Sequence, residues 1–194
     1  MIPKRQVFDE HATDYDRWFD ENKAVYDAQL RILKDATATP GPGLEIGVGS
    51  GRFATPLGIG YGIDSSRRLL TIAKGRGIEV VECTGEHLPF HNGAFHLVLM
   101  MTVICFLEDP PRVFREAGRV LSGGGRLVAG FIEKDGEIEK AYRNEETKGR
   151  FLRFARFRTV DEVLGYFRDA GFSDITIVAR VRGFCVVRGT KHEG

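Results

Sequence analysis

From residue 44 onward the chain alternates short apolar runs with amphipathic stretches, and glycine or proline separates them. The runs 44–48, 61–63, 78–83, 95–101 and 126–132 have the length and composition of buried strands. Helical patterns lie between them. Ser65 or Ser66 caps one that carries Leu69, Leu70, Ile72 and Ala73 and closes at Gly75 and Gly77. Asp109 followed by Pro110 and Pro111 starts another, because proline fits the first turn of a helix, where its missing amide costs nothing. Val113, Phe114, Ala117, Val120 and Leu121 form its buried stripe, and residues 122–125 end it. Thr159 and Glu162 have the spacing of a capping box. The helix they start buries Val160, Val163, Leu164, Phe167 and Ala170 and stops at Gly171. The runs 175–181 and 184–187, split by Arg182 and Gly183, predict a hairpin. Strands separated by helices imply an α/β fold: a Rossmann-like, doubly wound, mostly parallel sheet with a C-terminal antiparallel hairpin strand. Ahead of it, Phe8, Ala12, Tyr15 and Phe19, then Val25, Ala28, Ile32, Leu33 and Ala36, predict helices over 8–36, broken by the proline–glycine run at 39–43.

A length of 194 residues suits one domain, with residues 1–38 as a helical cap and 133–158 as an insertion in the cap. Such a chain buries roughly 70% of its unfolded surface and folds without metal or disulfide. Three widely spaced cysteines, with no C-x-x-C pair and no paired histidines, predict no metal site. The 28 basic and 27 acidic residues leave a formal charge of +1, which argues against a general polyanion binder. The first residues lack an apolar leader, and the apolar stretch 97–107 is too short to cross a bilayer. The expectation is a cytoplasmic, soluble protein without a membrane span.

In a doubly wound sheet, ligands bind beyond the carboxyl ends of the strands, where the strand order reverses. The first strand runs into Gly47, Gly49 and Gly51, a G-x-G-x-G loop that lets a ligand lie against bare backbone. The dinucleotide fingerprint needs a third glycine at position 52, where Arg52 stands, and the loop has no Gly-Lys-Ser/Thr ending. Asp64 ends the second strand, where its carboxylate either accepts from two ribose hydroxyls or caps the next helix. After the third strand, the loop of Thr84, Gly85 and Glu86 is placed to wall an adenine ring. Met101 and Thr102, at the end of the fourth strand, close the floor.

These motifs, in this order, resemble the class I S-adenosylmethionine-dependent methyltransferases, and among them the type 11 group similar to quinone-biosynthesis C-methyltransferases. The resemblance covers about residues 8–188. It rests on the stretches 45–51, 62–66, 85–90, 92–95 and 121–125, and on Ala170-Gly171-Phe172. It implies S-adenosylmethionine as cofactor. Glu45, Gly47 and Gly49 would face its methionine part, with Gly51 completing the loop. Asp64, beside Ser65, would hold the ribose. Thr84, Gly85 and Glu86 would border the adenine. Thr102, after Met101, would lie near the methionine amino group or sulfonium. The sequence departs from the family where Thr84 and His96 replace frequent aspartates, and where a short 51–62 stretch with Pro56 clips the first crossover helix.

Methyl transfer from a sulfonium needs alignment and exclusion of water more than a fixed set of catalytic groups. Asp9, His11, Asp14, Tyr15, Trp18 and Tyr26 are candidates for a lid, with His11 and Tyr15 the candidate bases. Tyr15, Trp18 and Phe19 read equally as the buried face of a packed helix. In the insertion, Arg143, Lys148, Arg150, Arg153, Arg156 and Arg158 interleave with Phe151, Phe154 and Phe157, with Glu145 and Glu146 as the acids. The first reading is a helical amphipathic cap whose phenylalanines cover the sheet. The other is a surface that grips an anionic or aromatic small-molecule acceptor. Nucleic acid has no motif support beyond this patch. Two further functions share the sheet: a nicotinamide-dependent oxidoreductase and a non-catalytic adenosyl-ligand module.

Overall fold

A computed structural model describes residues 4–144 and 150–193. Glu145, Glu146 and Lys148 lie outside the described residues, as does the side chain of Arg143. In chain order the elements are α1 (Lys4–Glu10), α2 (Ala12–Glu21), α3 (Lys23–Thr37), β1 (Gly43–Ile46), α4 (Ala54–Leu57), β2 (Tyr61–Asp64), α5 (Arg67–Gly75), β3 (Glu79–Glu82), β4 (Phe95–Met101), α6 (Pro110–Val120), β5 (Leu121–Ile132), α7 (Glu137–Asn144), α8 (Val160–Asp169), β6 (Phe172–Val181) and β7 (Phe184–Lys191). Two 3-10 turns, Ile104–Phe106 and Leu152–Phe154, complete it.

The sheet runs β3-β2-β1-β4-β5-β7-β6. The first five strands are parallel, and β7 is antiparallel to both β5 and β6. The order therefore reverses between β1 and β4, and any crevice at the carboxyl edge opens there. Alternation along β4 builds the two cores. Val98 and Met100 pack with Val113, Phe114 and Ala117 of α6 and Val163 and Phe167 of α8. Leu97, Leu99 and Met101 face the layer of Leu33 and Ala36 of α3, Ala54 of α4 and Leu70 and Ala73 of α5.

Local signals act where the sequence places them. Ser66 caps α5, accepting from the Leu69 amide at 3.3 Å. Asp109 caps α6, accepting from the Arg112 amide at 3.1 Å. Thr159 and Glu162 close a reciprocal capping box. The crossover helix α4 is clipped to four residues.

Three expectations change. The 122–125 run ends α6 but belongs to β5: pairing jumps from Phe95↔Leu121 to Leu97↔Arg126, so the glycines make a bulge opposite one residue. The hairpin strands are longer than their apolar runs, because β6 is an edge strand carrying polar residues at paired positions. The 150–158 stretch is not a helix. After its 3-10 turn it is extended, with the Arg156 amide donating to the Cys105 carbonyl at 2.7 Å and the Lys134 amide to the Arg158 carbonyl at 2.9 Å. Those partners replace the i−4 carbonyls that a helix would use.

The turn of the β6–β7 hairpin, Arg182 and Gly183, has φ of 52° and 85°, as a two-residue primed turn requires. A β-carbon on Gly183 would lie 2.9 Å from the Glu137 nitrogen. Gly183→Ala is therefore expected to cost about 2–3 kcal/mol, read as a lowered urea midpoint.

Candidate active site

The carboxyl ends of β1, β2 and β4 open into a cavity of about 760 Å³, within the size range of small-molecule sites. Gly47, Gly49, Asp64, Ser65, Thr84, Gly85, Glu86, Met101 and Thr102 all line it. The amides of Gly47 and Val48 donate to the Ile63 carbonyl at 2.8 and 2.9 Å, which turns the loop tightly over β2. A β-carbon on Gly47 would come within 2.4 Å of Val103, and one on Gly49 within 3.2 Å of the Tyr15 ring, so side chains there would fill the cavity's edge.

Asp64 is held rigidly. Its carboxylate accepts from the Gly49 amide at 3.0 Å and the Ser66 amide at 2.8 Å, with the Ser65 amide adding to them. Burial raises its pKa, the three amides oppose that shift, and Asp9 reinforces it. A carboxylate has about four lone-pair sites, so acceptor capacity remains toward the cavity. Thr102 sits at φ 51°, in the left-handed region that non-glycine residues avoid, and its amide donates to the Gly130 carbonyl at 2.7 Å. The chain thus turns abruptly at the cavity floor.

Two of the expected cofactor residues do not line the cavity. Gly51 does not line the cavity; a β-carbon there would meet Ile78 at 2.5 Å and Ala73 at 3.4 Å, so the residue serves helix–sheet packing. Glu45 does not line it either. It is 1% exposed, and its Oε2 has no hydrogen-bond partner among the described residues. Burial pushes its carboxyl well above the usual carboxylate range, the Ala54 amide opposes this and Asp64 adds to it.

Of the lid candidates, Tyr15 and Trp18 line the cavity. His11 does not; it precedes α2 and faces Asp14 at 3.7 Å. Burial raises the Tyr15 phenol, with Asp64 and Glu45 adding to the effect, which works against the phenolate form a base would use. The other candidates act as anchors. Asp9 accepts from the Ser66 hydroxyl at 2.7 Å and the Arg68 amide at 3.2 Å. Asp14 pairs with Arg150 at 2.8 Å. The Tyr26 hydroxyl donates to the Arg52 carbonyl.

Arg52 is the residue that sequence reading missed, although its place in the glycine loop was the signal. It grips Asp16 with two nitrogens at 2.8 and 2.9 Å and Asp20 with two at 2.7 Å. Arg76 grips the same Asp16 at 2.8 and 2.9 Å and also donates to the Ser50 carbonyl. This network fastens α2, and with it Tyr15, onto the loop.

The opposite wall is aromatic. Phe8 stacks on Phe151 at 5.1 Å and 27°, and meets Phe106 edge-on at 5.3 Å. Tyr15 meets Phe151 at 5.6 Å. Leu107, Leu152 and Phe154 extend the wall. Of the 150–158 segment, only Phe151, Leu152 and Phe154 line the cavity, and none of its arginines does. Arg153 lies over the Phe154 ring at 4.6 Å. Among the described residues no helix is long and apolar enough to cross a membrane, and no His, Cys, Asp and Glu cluster could hold a metal.

A family model described as a methyltransferase domain matches residues 44–129. An S-adenosylmethionine-dependent methyltransferase from Thermotoga maritima superposes with a TM-score of 0.89 at 33% identity, covering 97% of this chain and 100% of its own. A malonyl-[acyl-carrier protein] O-methyltransferase of Geobacter sulfurreducens is 32% identical over 91% of this chain and 73% of its own length. An uncharacterized protein of Methanocaldococcus jannaschii is 41% identical over 87% of this chain and 82% of its own. Other curated relatives are longer, and the chain spans 61% of their length.

Two stability outcomes follow from the loop and its anchor. Hydrogen bonds from Arg52 and Arg76 outweigh the effect of burial and hold the Asp16 carboxyl far below the usual range. A lowered folded value means stability that is present above the unfolded value near pH 4 and lost as pH falls through the folded one. Asp16→Asn is expected to cost about 2 kcal/mol at neutral pH, with the deficit shrinking in urea melts toward pH 3. Glu45 has the opposite sign. Its raised value gives stability that is full below the ordinary carboxylate pKa and lost as pH rises through the folded one. Urea midpoints of Glu45→Gln relative to wild type are expected to move in the variant's favour from about pH 4 to about pH 8.

Proposed function

Because the chain belongs to the class I S-adenosylmethionine-dependent methyltransferases, we propose that its cavity holds both reactants, with the cofactor along the glycine loop and Asp64 and a small-molecule acceptor against the aromatic wall. The residues fit such a cofactor. A bare-backbone cradle at Gly47 and Gly49 lies beside a carboxylate already fixed by three amides, in a space of about 760 Å³. When bound, the cofactor supplies a methyl group activated by positive sulfur.

The chain's own residues would then do four things. Asp64 would accept from the ribose hydroxyls through its unused lone pairs. Thr84, Gly85 and Glu86 would border the base; a threonine hydroxyl makes a weaker bond there than a carboxylate would. The bare backbone at Gly47 and Gly49 and the turn at Thr102 would border the methionine part. Phe8, Tyr15, Phe106 and Phe151 would exclude water and align the acceptor, which is where most of the rate of a displacement without a fixed base must come from.

The observation that carries this reading is the meeting of Asp64 with the Gly49 amide on one wall of the cavity that four rings close on the other. An acceptor with an apolar or aromatic body suits that wall better than an anionic one, since the arginines of 150–158 do not reach the cavity. Nothing supports the nicotinamide alternative: position 52 is an arginine committed to Asp16 and Asp20. Residues 1–38 and 133–158 serve, in this reading, as the cap of one methyltransferase domain.

Titration calorimetry with S-adenosylmethionine and S-adenosylhomocysteine tests the assignment. Asp64→Asn is expected to weaken both by about 10–100-fold, as loss of charge-assisted hydrogen bonds does. Unchanged affinity would remove Asp64 from the ribose.

A further inference from the structure

Tyr15 belongs to the aromatic wall by its ring, but its hydroxyl lies over the glycine loop. A β-carbon on Gly49 would stand 3.2 Å from the Tyr15 hydroxyl oxygen and 3.2 Å from its Cε1, so the bare backbone at 49 is what leaves the hydroxyl its place. The ring is fixed edge-on by Phe8 at 5.7 Å, Phe19 at 5.5 Å and Phe151 at 5.6 Å. The next residue, Asp16, is clamped to Arg52 and Arg76. Tyr15 lines the cavity, and among the described residues its hydroxyl has no hydrogen-bond partner. The backbone donors around it are already spent. The Gly47 and Val48 amides go to the Ile63 carbonyl, the Gly49 amide to Asp64, the Gly51 amide to the Val48 carbonyl at 2.9 Å and the Thr102 amide to the Gly130 carbonyl. A negative group arriving over Gly49 therefore meets the phenol as its donor. Burial, Asp64 and Glu45 all raise that phenol, which favours the O–H form that donates.

On the proposed cofactor reading, on which this rests, we infer that the Tyr15 hydroxyl is a cofactor-binding group that donates a hydrogen bond to the carboxylate of the methionine part. A hydroxyl donating to an ionised acceptor makes a stronger bond than one between neutral groups. The donor is placed before the ligand arrives, by three ring contacts and a clamped neighbour, so little ordering is left to oppose binding. Tyr15 thus joins the two walls: its ring faces the space proposed for the acceptor and its hydroxyl holds the far end of the cofactor, opposite the ribose at Asp64.

The test is titration calorimetry on the full chain with two probes: S-adenosylhomocysteine and its decarboxylated analogue, which keeps the ammonium and the adenosine. Wild type is expected to bind the analogue about tenfold more weakly. Tyr15→Phe keeps the ring and removes the donor. It is expected to weaken S-adenosylhomocysteine about tenfold while affinity for the analogue stays within about twofold, so the loss is coupled to the carboxylate. Asp64→Asn, acting at the ribose, is expected to weaken both probes by the same factor. Equal affinity of wild type for the two probes, an unchanged affinity of Tyr15→Phe for S-adenosylhomocysteine, or an equal loss for both probes in Tyr15→Phe would overturn the inference and leave the cofactor reading standing. Failure of S-adenosylhomocysteine to bind wild type would bring down the cofactor reading, and this inference with it.

Discussion

The contact on which the site depends is the 3.0 Å hydrogen bond from the Gly49 amide to the Asp64 carboxylate. It joins the ends of β1 and β2, two neighbouring parallel strands, beside the point where the strand order reverses. Parallel strands pair through slanted, evenly spaced bonds and leave their carboxyl ends open. A short loop there has unpaired amides, and Asp64 takes three of them from two different turns. The carboxylate is thus oriented by backbone rather than by mobile side chains. Pre-orientation of this kind lets a site recognise hydroxyls without paying the entropy of ordering itself on each encounter.

The cap is held by the same region. Asp9 reaches the first turn of α5, two to four residues beyond Asp64, and Asp16 reaches Arg52 and Arg76 around the glycine loop. Both anchors are carboxylates on the N-terminal helices, and both land beside the Gly49–Asp64 wall of the cavity. An isolated surface pair contributes little. Here one carboxylate, with 18% of its side chain exposed, takes two bidentate guanidinium forks, so one ordered side chain serves two partners. The position of Tyr15 over Gly49 follows from its neighbour Asp16 being fixed.

The sheet was largely legible in the sequence because its strands are apolar and bounded by glycine, and because Ser66, Asp109 and Thr159 announce helix starts by a mechanism that acts over three residues. What local pattern could not give was long-range partnership. Arg52 looked like a missing glycine, and only the fold brings Asp16 and Asp20, 36 and 32 residues away, to its side chain. Gly51 and Gly49 are alike in sequence, yet one packs on Ile78 and the other edges the cavity. The arginine–phenylalanine interleaving at 150–158 matched a helix in spacing. The backbone there instead satisfies itself on Cys105 and Lys134, which no periodicity encodes.

The two walls of the cavity are therefore built by different physics. The wall proposed for the cofactor is made of strand ends and is tied into the hydrogen-bond ladder and the two cores. The wall proposed for the acceptor comes from α1, α2, the Ile104–Phe106 turn and the segment around the Leu152–Phe154 turn, where Phe8, Tyr15, Phe106 and Phe151 meet through ring contacts. Each such contact contributes only about 0.5–1.5 kcal/mol beyond the area it buries. Replacing one ring reshapes the acceptor space while leaving the sheet and its Gly49–Asp64 contact intact. In the proposed reading, selectivity for the acceptor can thus change without disturbing the cofactor site, because the rings of Phe8 and Phe151 lie outside the two buried cores.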